Sequence, residues 1–113
     1  MDFNLIEEKR RESELRINMM WKAMVSGFQA IDPTLAMRWG ARQPAGFVGK
    51  QSGNPGLSMY CDKAKLSIVV EYNANTLTYL ISYEHDESKI VEPLTTVLSL
   101  DEIAPAIIQF LGK

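Results

Sequence analysis

The chain has 113 residues, 46% of them apolar, which is enough for one core without disulfide or metal staples. Its single cysteine, Cys61, excludes an internal disulfide and a thiolate zinc cluster, so a reducing cytoplasm is the expected setting. A net charge of −2 argues against a protein that works by neutralising nucleic-acid phosphates, and no stretch approaches the roughly 20 apolar residues of a membrane span.

Residues 1–32 read as one long helix. Ile17, Trp21, Met24, Phe28 and Ile31 recur at spacings of three and four, the period of a helix with one buried face. Asp2 is placed to cap its start, and Asp32-Pro33 stops it, because proline disfavours helical geometry in the residue before it. Glu12 and Arg16 stand four apart, as an exposed ion pair would. Before them come Glu7, Glu8, Lys9, Arg10 and Arg11, with no apolar core of signal-peptide length ahead. The helix also carries more apolar residues than one narrow face needs. A helix of about 28 residues is about 42 Å long, whereas eight-residue strands span only about 27 Å, so part of it should overhang. Leu15, Met19, Met20, Trp21 and Met24 are therefore candidates for contact with a second chain.

Residues 33–56 form a connector rich in glycine and proline, whose charged residues, Arg38, Arg42 and Lys50, are all basic. Loops this long seldom stay structureless in a compact domain, so a short helix or strand is expected around Leu35–Trp39 or around Phe47. Gly46–Gly56, GFVGKQSGNPG, invites comparison with a phosphate loop. That motif needs a glycine where Pro44 stands, a hydroxyl where Gln51 stands, and a helix afterwards. Here a strand follows Asn54-Pro55-Gly56, so the glycines make turns. Arg38, Trp39, Arg42, Phe47 and Lys50 interleave cations with aromatics and are candidates for contact with an anion or other ligand.

From 57 to 98 the period changes to two. Leu66, Ile68, Val70 and Tyr72, then Leu77, Tyr79, Ile81 and Tyr83, alternate with polar neighbours about a turn at Asn73-Ala74-Asn75. With Leu57–Asp62 before them and Ile90–Leu98 after, these make a four-stranded antiparallel meander. Pro93 suits an edge strand or a bulge. His85, with Glu84, Asp86 and Glu87, occupies a polar turn where side chains diverge, which is not a metal-site arrangement. In residues 99–113, Ser99 and Glu102 have capping-box spacing and open a helix through Leu111. Pro105, tolerated near its first turn, shifts the start toward Ala104.

The expected architecture is a single α+β domain over 1–113, two-layered, in the order α-β-β-β-β-α. Neither a catalytic constellation nor a metal or cofactor motif is legible. The expected function is that of a non-catalytic, cytoplasmic protein-interaction domain of adaptor, chaperone or inhibitor type. It would form a homodimer or bind another protein through the long helix or the open sheet face. The first alternative is a small-molecule binder or enzyme with a pocket between connector and sheet lined by Trp39, Phe47, Tyr60, Tyr79 and Tyr83; the second, ranked below it, is nucleic-acid binding through the basic connector.

Overall fold

The structure, a computed structural model, describes residues 3–112. The order is α1 (Phe3–Ile31), α2 (Leu35–Trp39), β1 (Ala45–Val48), β2 (Pro55–Cys61), β3 (Leu66–Asn73), β4 (Thr78–His85), β5 (Val91–Val97), a 3-10 turn (Leu100–Glu102) and α3 (Ile103–Leu111). The strands form one antiparallel sheet in chain order. The cap expected of Asp2 lies outside the described residues.

The sheet has five strands where four were expected. The addition is β1, taken from the connector, which pairs Phe47 with Gly56 and Val48 with Pro55. Both structured pieces anticipated within the connector exist, a helix at Leu35–Trp39 and a strand around Phe47.

Period-two alternation puts Leu57, Met59 and Cys61 of β2 beside Val70, Ile68 and Leu66 of β3, and Val70 beside Ile81 of β4. This face carries the core, closed by Met20, Met24 and Phe28 from α1 and by Ile103, Ile107 and Ile108 from α3. Ile31, expected on the buried stripe, is exposed at the end of α1, and Met20 takes the central place. The two long helices touch at Gly27, where an added Cβ would fall inside the van der Waals envelope of the Ala104 Cβ. Pro105 is the third residue of α3, in the first turn, where its missing N–H costs least. The Glu102 carboxylate accepts hydrogen bonds from the Leu98 N–H and the Ser99 hydroxyl, each at 3.3 Å. The expected capping residues meet, although the Ser99 side chain caps no backbone donor.

Two local expectations changed. Arg16 does not pair along the helix with Glu12. It turns inward, donating from Nη1 to the Tyr79 hydroxyl at 2.9 Å, with its guanidinium 4.0 Å from the centre of the Tyr72 ring. A cation stacked on one tyrosine and bonded to another gains more than an exposed i,i+4 pair. The β3–β4 turn is also longer than expected, because Asn73 pairs with Thr78 and leaves residues 74–77 as the loop. Its left-handed position is Leu77, at φ 56°, with the side chain exposed. An L-residue with a Cβ there costs about 1–2 kcal/mol. Leu77→Gly is therefore expected to stabilise the protein by about 1 kcal/mol after the entropy of the freer unfolded chain is charged against it. That is a rise of about 4 °C in thermal midpoint, readable by calorimetry.

Candidate functional site

The basic connector does not present three free cations. Arg38 donates to Asp32 Oδ2 at 2.6 Å, and Arg42 Nη2 sits 3.0 and 3.1 Å from the two Asp62 oxygens. Asp32 also accepts from the Thr34 N–H and hydroxyl, which hold its carboxyl below the usual carboxylate range, with Arg38 adding to the effect. Lys50 lies at the exposed tip of the β1–β2 hairpin, away from both. Trp39 is in the core, edge-on to Phe28 at 5.1 Å, and its indole N–H donates to the Gly112 carbonyl at 2.8 Å. The five candidate ligand contacts are thus dispersed.

The glycine-rich stretch is the β1–β2 hairpin itself. The Gly49 N–H donates to the Asn54 carbonyl, the Gly53 N–H to the Gly49 carbonyl, and the Asn54 N–H to Ser52 Oγ, while Ser52 Oγ donates to Glu71. Amides that would have to face a phosphate are used to close the loop.

The sheet separates the five aromatics of the alternative reading. Tyr79 and Tyr83 lie on the helix-covered face, Tyr83 packing against Phe110 at 4.7 Å. Phe47 and Tyr60 lie on the opposite face. The Phe47 ring covers Gly56, which has no Cβ to obstruct it, and the Tyr60 hydroxyl donates to Asp86 Oδ2 at 2.6 Å. That hydrogen bond raises the Tyr60 hydroxyl above its ordinary range, as the bond to Glu92 does for Tyr83. No single pocket can gather all five. The open face is mixed, with Ser67, Glu71 and Glu84 beside Val69 and the exposed Leu80.

Cys61 is wholly buried, and burial pushes its thiol up to about 11, the opposite of what a nucleophilic thiolate requires. His85 lies edge-on to Tyr83 at 5.4 Å at the end of β4. Among the described residues no three His, Cys, Asp or Glu side chains come together as metal ligands would.

The α1 candidates divide by depth. Met20 and Met24 are 1% exposed and belong to the core, so neither can meet another chain in the folded protein. Met19 and Trp21 are half-buried, and Leu15 is 62% exposed. Residues 4–12 are all exposed, so the expected overhang is present. Its apolar side chains, Leu5 at 50% and Ile6 at 45% exposure, belong to the surplus apolar surface read from the sequence, although the five candidate contacts did not include them. The signal was there: Ile6 precedes Ile17 by eleven residues, about three turns, and so continues the buried stripe beyond the sheet.

Several concavities flank the helices. A cleft of about 310 Å³ between α1 and the connector is lined by Trp21, Val25, Phe28, Pro44 and Met59, with Asp32 and Arg42 also on its walls. A larger groove of about 650 Å³ runs between β5 and α3. Among the described residues, no helix is long and apolar enough to cross a membrane. Compared with known proteins, the chain matches no family model, no curated protein and no solved structure.

Proposed function

We propose that this protein is a non-catalytic interaction domain of adaptor, chaperone or inhibitor type that self-associates through the overhanging N-terminal third of α1. The observation carrying this reading is the run of exposed residues 4–12 on an unbroken helix, with Leu5, Ile6 and Leu15 turned to solvent. A helical segment whose residues are all exposed keeps little helical stability from tertiary packing, and isolated helices shorter than about 12–15 residues are marginal in water. Ile6, which continues the core stripe past the sheet, and Leu5 beside it offer the packing that a second overhang can complete. The open sheet face is the weaker candidate, because its serines and glutamates interrupt the apolar surface that an obligate interface uses.

The test is solution mass by light scattering across a concentration range. A dimer is expected. Leu5→Glu, Ile6→Glu and Leu15→Glu combined are expected to convert it to monomer while moving monomer stability by only about 0.5 kcal/mol per site. A wild-type chain that remains monomeric at every concentration would remove self-association from this reading.

A further inference from the structure

We infer that the groove between β5 and α3 is a second, separate binding site, which takes an extended basic segment of another protein as an added strand on β5. β5 is an edge strand, so one row of its backbone groups lacks a strand partner. Its first half is protected against pairing. Pro93 lacks an N–H, and the register slips between Ile81 and Ser82, which pair with Thr95 and Pro93 and leave Leu94 bulged between them. From Thr95 to Val97 those devices are absent, and this part of the strand lines the groove together with the bulged Leu94.

A strand added here would lie about 4.8 Å beyond β5, and every second side chain would point to the face on which α3 stands. The groove receives those side chains. Its apolar wall comes from Leu94, Val97, Ala106 and Phe110, and Pro105 and Gln109 of α3 rim it with exposed side chains. An edge strand beside a helix, with a recess for alternate side chains, is the arrangement by which peptides bind through strand addition.

Charge selects the kind of peptide. Asp101 and Glu102 line the groove and none of its lining residues is basic. The Glu102 carboxylate is engaged with Leu98 and Ser99, whereas the Asp101 carboxylate makes no hydrogen bond or ion pair among the described residues. An arginine or lysine in the peptide would supply the missing partner. The site is remote in sequence from the α1 overhang, so either proposal can fail without the other.

The test uses the full chain and a fluorescein-labelled octapeptide of alternating arginine and valine, read by fluorescence anisotropy. Saturable binding is expected, weakened about fivefold or more by Asp101→Lys and by Ala106→Trp, which fills the groove. The thermal midpoint of each variant separates lost binding from lost folding. The same peptide with glutamate for arginine should not bind. Two further peptides, N-methylated at every second amide in the two alternative registers, decide the mode. At least one should lose about tenfold in affinity, because its methyl groups face β5. Undiminished binding of both methylated peptides, insensitivity to Asp101→Lys and Ala106→Trp, or no saturable binding at millimolar peptide would overturn the proposal. So would a dimer that dissociates on Ala106→Trp, since a second copy would then be the occupant.

Discussion

Trp39→Ala is expected to destabilise the protein by about 3–5 kcal/mol, the range for truncating a buried tryptophan. At about 4 °C per kcal/mol for a chain of this size, the thermal midpoint should fall by about 12–20 °C. Three losses combine. The indole is almost fully buried, its edge-to-face contact with Phe28 disappears, and the Gly112 carbonyl loses its donor at the end of α3. Trp39→Phe isolates the last of these, since it keeps most of the volume and should cost about 1 kcal/mol for the hydrogen bond alone. Calorimetry or urea denaturation of the two variants gives the comparison. If Trp39→Ala cost under about 1 kcal/mol, Trp39 would not be the core residue described here, and a ligand-facing role would regain support.

Gly27→Val is expected to cost about 1–3 kcal/mol, because the side chain must enter the contact between α1 and α3. The group it meets is the Ala104 Cβ, which is fixed to the backbone of α3 and cannot rotate away. The helices must then separate, loosening Met24, Phe28, Ile103 and Ile107 together. Ala104→Gly in the same chain removes the opposing methyl, so the double variant should recover part of the loss. A coupling of at least about 0.5 kcal/mol between the two sites would locate the effect in this contact. Strict additivity would mean that the valine acts elsewhere.

Most of the architecture was legible because two periods dominate the chain. Spacings of three and four in α1 and alternation in β3 and β4 report which side of each element is buried, and burial is the largest favourable term in folding. The α+β class, the antiparallel order and the overhang follow from these periods and from simple lengths. β1 was less legible, because a four-residue strand containing Gly46 carries too little alternation to stand out from the surrounding glycines and prolines. Its existence depends on the edge of β2, a partner already in place.

The candidate contacts were harder to read, for a related reason. Met19, Met20, Trp21 and Met24 are similar in type and close in sequence, yet about 100° of helical rotation per residue decides which of them enters the core. Likewise Arg38 and Arg42 look like free cations in one dimension and prove to be held by Asp32 and Asp62. Arg42 and Asp62 stand twenty residues apart, and Arg38 and Asp32 meet across the break between α1 and α2. The sequence by itself determined the elements, their faces and the excess apolar surface of α1, since these are local consequences of side-chain type and period. Only the tertiary structure decided which cations remain unpaired, on which face of the sheet each aromatic lies, and where an edge strand meets a helix to form a groove. Those are properties of surfaces built from distant segments, and they exist only once the chain has folded.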